Sequence, residues 1–424
     1  MRWLLALLLT LSLEDALAQT PVAATNATLR SGGCATDDPL IASLPPGTPL
    51  KLRFALSGES IPCYKVVADL QGQPIEGYLP VSAMQGLDSF DKARRDAAWI
   101  SVTEALSAVR SVQPSADLKA PSGTTAPLPA AARVVLAQAE QFIEAGQPAK
   151  ALAMLEPEIK KRRDPYLLST AGVAAWRADD PRQALDYWRE SLSILPNPAL
   201  EKLYRQVEQE RTSDRSGEKV FGNKVVLRYD AAAIPAETAR AMVAAVDNAY
   251  SRVSLQLGCH AEEKIVTVVQ TRDAYQKSTG AAEWSGGQFD GRIRVPVMNG
   301  QQMNAAAEQV LTHETTHACL AMLGEWPSWL HEGMAQKLSG AVLTPDMRAK
   351  INGLAHDGQL PKLEELRQGW SRLDTQHATL AYALALAAVD ALYENIGSDG
   401  VRSLLRNPER LPSLSADLDK RLGL

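Results

Sequence analysis

Residues 313–317 read His313-Glu314-Thr315-Thr316-His317: two imidazoles four positions apart, with a carboxylate directly after the first. The surrounding segment, residues 305–323, has helical periodicity, and Asn304 stands where an N-cap belongs. Positions four apart share a helix face, so both imidazoles can reach one metal ion while Glu314 reaches the water beside it. Fifteen residues after His317, the run Pro327-Ser328-Trp329-Leu330-His331-Glu332-Gly333-Met334-Ala335 places the Glu332 carboxylate at the start of a second helix. Two histidines and one glutamate leave a fourth coordination position open, which is the arrangement of catalytic rather than structural zinc. The expectation is one Zn²⁺ held by His313, His317 and Glu332, with Glu314 as general base.

These residues need a scaffold, and the section from Val220 onward supplies one of α+β type. It opens with a strand over Lys224–Tyr229, continues through a helix from Pro235 to Leu257, and reaches a second strand at Ile265–Val269. A third β run, Arg292–Val297, contains Pro296, which is read as confining it to a sheet edge. An edge can pair with an extended peptide, so Ile293 and Val295 are the expected substrate-binding positions. Helices dominate from Asn304 onward.

Together these features resemble the gluzincin metallopeptidases, in particular the bacterial peptidase MA-like proteins that join tetratricopeptide repeats to such a domain. The resemblance runs over roughly Val220 to Gly397. It rests on Gly287-Gln288-Phe289-Asp290-Gly291-Arg292-Ile293, on His313 to His317, on the Trp-Leu-x-Glu-Gly-x-Ala element, and on Ala381-Tyr382-Ala383 opening a later helix. It implies a zincin-like fold, hydrolysis of peptide bonds by a zinc-activated water, and the role of oxyanion-stabilising phenol for Tyr382. His377, five residues earlier, is a second candidate for that last role. Successive helical positions point about 100° apart, so only one of His331 and Glu332 faces the metal, and the pattern favours Glu332. Related gluzincins often place an acid four residues after the glutamate ligand to orient a zinc histidine. Here that residue is Gln336, so Gln336 or another group must hold the histidine.

The remaining chain reads as further modules, which makes the protein multidomain. Its 424 residues are 46% hydrophobic with a net charge of −5, a length for about two or three domains and no basic block to suggest nucleic acid. Residues 1–18 are expected to be a signal peptide, with Arg2, an apolar run and Ala16-Leu17-Ala18 as the cleavage site, and no later run suits a transmembrane span. The chain is therefore expected to be exported, to a periplasm or outside the cell. Export permits disulfides, and Cys34 and Cys63 are the natural local pair, while Cys259 and Cys319 either pair with each other or remain buried thiols. Residues 22–87 read as a small β-barrel that resembles bacterial Src-homology-3-like domains, which implies a cell-wall or protein partner. A helix over 88–112 and a Pro-rich linker over 113–129 follow. Over 130–212, Ala151-Leu152 recurs as Ala184-Leu185 at an offset of 33, and Gly172, Ala184, Trp188 and Pro196 resemble the tetratricopeptide pattern. A repeat pair with one further helix serves as an intramolecular spacer or as a docking face for a protein partner.

The function expected is that of an exported zinc metallopeptidase acting on a peptide or protein substrate. The alternatives are a scaffold or binding protein with a vestigial zinc site, and a zinc hydrolase of cell-wall peptides.

Overall fold

The computed structural model describes residues 20–25, 27–31, 33–34, 37–56, 63–87, 128–213, 217–279, 286–297, 303–367, 370 and 375–424. The expected signal peptide over 1–18 and helix over 88–112 lie outside these residues, as does the linker over 113–129 except its last two positions.

Short β-type runs broken by turn residues yield β1 (Val22–Ala23), β2 (Ala27–Arg30), β3 (Leu40–Leu44), β4 (Leu50–Leu56), β5 (Cys63–Leu70), β6 (Gln73–Pro80) and β7 (Met84–Gln85). Five of them form an antiparallel sheet in the order β3-β2-β6-β5-β4, and β1 pairs with β7. The β5–β6 hairpin turns through Gln71 and Gly72, both at positive φ (57° and 82°), the backbone that matches the twist of tightly connected strands. Cys34 and Cys63 are disulfide-bonded, with Cα atoms 5.8 Å apart.

The repeat region folds as two helical hairpins and a fifth helix: α1 (Ala130–Glu144), α2 (Pro148–Lys161), α3 (Pro165–Arg177), α4 (Pro181–Ile194) and α5 (Pro198–Ser213). The residues singled out by the repeat explain the packing. Trp188 lies so close to Gly172 that a Cβ there would sit 2.1 Å from its indole nitrogen, and that nitrogen donates to the Ser169 carbonyl at 3.0 Å. The turn within each hairpin needs one left-handed residue, and Gly146 (φ 73°) and Asp179 (φ 65°) fill that position 33 residues apart. A non-glycine residue is uncommon there. Asp179 earns the position through its carboxylate, which accepts from Arg228 Nε and Nη2, both at 2.8 Å.

The C-terminal part is mixed α/β. Its elements are β8 (Glu218–Phe221), β9 (Val225–Tyr229), α6 (Ala236–Leu257), β10 (Ile265–Thr271), α7 (Arg272–Thr279), β11 (Gln288–Phe289), β12 (Ile293–Val297), α8 (Ala305–Leu323), α9 (Ser328–Leu338), α10 (Pro345–His356), α11 (Thr375–Arg406) and α12 (Leu411–Leu422). The sheet order is β11-β12-β10-β9-β8, with β9, β10 and β12 parallel and the two outer strands antiparallel. This corrects the edge assignment of the 292–297 run. β12 lies between β10 and β11, and the edge belongs to the two-residue β11. β11 reaches only as far as Arg294, so Pro296 sits where β12 is paired on the β10 side alone. Ile293 and Val295 are buried in the core, 0% and 3% exposed, and so are not placed to meet a substrate. Among the described residues, no helix is long and apolar enough to cross a membrane.

The repeat helices and the C-terminal sheet share a buried charge network. Glu210 on α5, 1% exposed, accepts from Arg294 at 2.7 Å, from Arg292 at 3.1 and 3.3 Å, and from the Trp176 indole at 3.1 Å. Arg292 also stacks on the Trp176 ring, 4.7 Å from its centroid. Asp290, in the β11–β12 turn, takes Arg294 Nε at 2.7 Å. A second tie is Glu263, whose carboxylate accepts the Ala149 and Lys150 N–H groups at 3.1 and 3.0 Å, in the first turn of α2. Burial would raise Glu210 and Asp290, but the guanidiniums of Arg292 and Arg294 outweigh it and hold both carboxyls below their ordinary range.

Replacing Glu210 with Ala leaves two buried guanidiniums short of a counter-charge and should cost about 3–5 kcal/mol in urea denaturation. Because both carboxyls have depressed folded-state values, their contribution is complete above the unfolded carboxylate range, at about pH 4, and is lost as pH falls further. Melting temperatures measured between pH 7 and pH 2 check the window. An E210A variant as stable as the parent would refute the network's role.

Candidate metal centre

The α8 helix begins as its sequence requires: the Asn304 side chain accepts the Ala307 N–H at 2.9 Å. Between the two histidines, the Thr315 and Thr316 hydroxyls donate back to the Leu311 and Thr312 carbonyls at 2.6 and 2.8 Å, which satisfies two buried polar groups within the helix. Cys319, two residues beyond His317, is disulfide-bonded to Cys259 just after α6, which resolves the open alternative for that pair.

The α9 helix is anchored at both ends. Its first N–H groups, Ser328 and Trp329, donate to the Arg367 and Leu366 carbonyls at 3.0 and 3.2 Å. Gly333 lies so close to α11 that a Cβ would come within 2.3 Å of the Ala385 carbonyl oxygen, so only glycine permits this approach. Gln336 closes the contact by donating to the carbonyls of Glu332 (3.2 Å) and Tyr382 (3.0 Å). Lys337 pairs with Asp390 at 2.7 Å one turn further along.

With these helices fixed, His313, His317 and Glu332 converge. The two imidazole Nε2 atoms are 3.1 Å apart, and Glu332 Oε2 lies 3.4 Å from that of His313 and 3.5 Å from that of His317. Tetrahedral zinc with bonds of 2.0–2.1 Å needs ligand atoms separated by about 3.3–3.4 Å. The three atoms fit that requirement. Glu332 Oε2 is also buried without a hydrogen bond, as a carboxylate oxygen reserved for a cation would be. The side chains of His313, His317 and Glu332 keep 24%, 12% and 22% of their surface exposed, so the centre has one open side.

Glu314 projects beside this triangle, 5% exposed, and its Oε2 is buried without a hydrogen-bond partner. Gly287, just before β11, lies against it: a Cβ there would be 2.7 Å from Glu314 Oε1. Burial raises the Glu314 carboxyl, and Glu332 adds to the rise, although His313 and His317 oppose it. Burial would also raise Glu332, yet His317 and His313 more than reverse this and hold it well below the usual range. Burial alone would lower His317, but the Glu332 carboxylate and Glu314 leave it raised.

Tyr382 is on α11 beside α9, linked through its backbone to Gln336, and its ring meets Trp370 edge-on at 5.0 Å. His377, in the first turn of α11, is exposed. The residue that sequence reasoning set aside is His331. It is outside the group of three that could hold a metal, and its Nδ1 lies 3.3 Å from His317 Nδ1, with the two rings stacked at 5.5 Å. Burial, reinforced by the His317 imidazole, pushes His331 down to about 3. Its signal in the sequence was adjacency to Glu332, which was used only to exclude it as a ligand.

No family model matches the chain, and no curated protein matches it.

Two outcomes follow from this geometry. The purified protein should bind one zinc ion per chain, and His317→Ala should abolish tight binding in a chelator competition. Replacing Cys259 and Cys319 together with Ala opens a cross-link spanning 60 residues and should destabilise the protein by about 4 kcal/mol, read by urea denaturation.

Proposed function

We propose that the protein is an exported zinc-dependent metallopeptidase of gluzincin type, which hydrolyses peptide bonds with Glu314 as general base. The observation that carries this reading is the buried Glu314 carboxylate, with Oε2 lacking a hydrogen-bond partner, beside the His313, His317 and Glu332 triangle. Bound at that triangle, zinc would polarise the scissile carbonyl and make water acidic enough to be deprotonated near neutral pH.

The chain's own groups do the rest. Glu314 takes the proton of the attacking water, and its raised pKa suits the subsequent delivery of that proton to the leaving amine. Gly287 brings the start of β11 against Glu314, so a peptide paired along the side of β11 that no described strand covers would pass next to the base. Substrate pairing is thereby assigned to the β11 edge, Gln288–Phe289, in place of Ile293 and Val295. Tyr382 is assigned the oxyanion role, with the Gln336 bridge setting the position of its backbone relative to Glu332. Two disulfides support an oxidising, exported setting. The N-terminal sheet unit, read as a Src-homology-3-like barrel, and the repeat helices would then present the catalytic part to a cell-wall or protein partner.

The test is digestion of a complex peptide pool by the purified protein, with and without zinc, beside Glu314→Gln. Cleavage should require zinc and fall at least about 100-fold in the variant, which should still bind zinc. Cleavage that persists in E314Q would refute the mechanism. A zinc-loaded protein that leaves all peptides intact would point to cell-wall peptides or to a scaffold with a vestigial site.

A further inference from the structure

A metal-ligating imidazole is oriented by the partner of its other ring nitrogen, most often a carboxylate, a backbone carbonyl or water. For His317, Nε2 faces the ligand triangle, so the outer nitrogen is Nδ1. It meets His331 Nδ1 at 3.3 Å, with the rings inclined at only 29°. Gln336 is committed elsewhere, because its amide bridges the Glu332 and Tyr382 carbonyls.

The contact between two Nδ1 atoms fixes the tautomers. A ligand nitrogen must offer a bare lone pair, so a metal-bound neutral His317 carries its hydrogen on Nδ1. The facing atom must then be an acceptor. His331 therefore presents a bare Nδ1 and keeps its own hydrogen on Nε2. Its backbone is fixed in the first turn of α9, where the His331 N–H donates to the Pro327 carbonyl at 3.1 Å, and Glu332 is the next residue.

We propose that His331 is the positioning residue for the metal ligand His317, a neutral imidazole acceptor that fixes the tautomer and ring plane of His317 where a carboxylate commonly does so. A consequence concerns charge. A neutral acceptor donates less electron density through His317 than a carboxylate would, so Glu332 is the one formally anionic group among the three ligands and their orienting partner. Zinc bound there would then be a stronger Lewis acid than with a carboxylate behind His317.

This inference rests on the zinc reading above, and the experiment separates the two. Zinc affinity is measured by chelator competition for the full-length protein, for His331→Phe, which keeps a stacking ring but no acceptor, and for His331→Asn, whose side-chain oxygen reaches the place of Nδ1. H331F should bind zinc about 10–100-fold more weakly, and H331N should restore affinity to within about threefold of the parent. On the unaltered zinc-loaded protein, histidine-selective nitrogen-15 spectra, with only six histidines to assign, should show His317 protonated at Nδ1 and His331 at Nε2. Parent-like affinity in H331F, or His331 protonated at Nδ1, overturns the proposal while leaving the zinc site standing. A parent protein that binds no zinc overturns both. The spectra decide the matter even if the variants fold poorly.

Discussion

Three donor atoms, two of imidazole and one of carboxylate, held within 3.5 Å of one another are the constraint on which this structure is built. A buried carboxylate oxygen without a hydrogen bond is costly. Its meeting with two imidazoles of another helix does not arise from local preference. The convergence has to be imposed by helices that cannot move apart, and the fixing contacts are unusually direct. A disulfide holds α8 two residues past His317, and Gly333 lets α9 press onto the backbone of α11. The Gln336 amide then stitches α9 and α11 together at the backbone of Glu332 itself. Each of these contacts replaces side-chain adaptability with backbone geometry, which is the way to hold ligand atoms to a few tenths of an ångström.

The repeat helices belong to the same logic. Glu210 and Trp176 do not form an open face toward the β11–β12 hairpin; they grip Arg292, at the end of the hairpin turn, and Arg294, in β12. Gly291 in that turn, at φ 97°, has Arg177 packed where a side chain would be, so the hairpin enters the repeat unit backbone first. The hairpin also carries Gly287, which touches Glu314. A continuous path of contacts thus runs from α5 to the Glu314 carboxylate. An intramolecular role for these helices is the one the contacts favour, since Trp176, Arg177 and Glu210 are engaged by the β11–β12 hairpin of the same chain.

Much of the centre was legible because it obeys short-range rules. Helix α8, its Asn304 cap and the His-Glu-x-x-His face follow from spacing alone, while the choice of Glu332 over its neighbour His331 on α9 came from the Trp-Leu-x-Glu-Gly pattern. The strands at 225–229 and 265–271 and the long helix α6 follow from periodicity. What escaped was of longer range. β11 has two residues and so no periodicity to read, and without it Pro296 marked β12 as an edge. The proline rule was sound but local, because it describes one stretch of one side of a strand and not the strand's place in a sheet. The buried charge network was illegible for a similar reason, since Glu210 lies 82 positions from Arg292 and no short motif joins them.

Gln336 shows how the local and long-range constraints trade against each other. A carboxylate at that position could only accept hydrogen bonds. An amide at that position can donate as well, and here it donates twice, to backbone carbonyls on two helices. That choice gains a rigid α9–α11 contact and leaves the outer nitrogen of His317 without a carboxylate from this position. The nitrogen meets His331 instead, one residue from Glu332 on the helix that Gln336 ties to α11. The packing of α9 therefore does two things with one set of contacts: it places Glu332 against the two imidazoles of α8, and it places His331 against the outer nitrogen of His317.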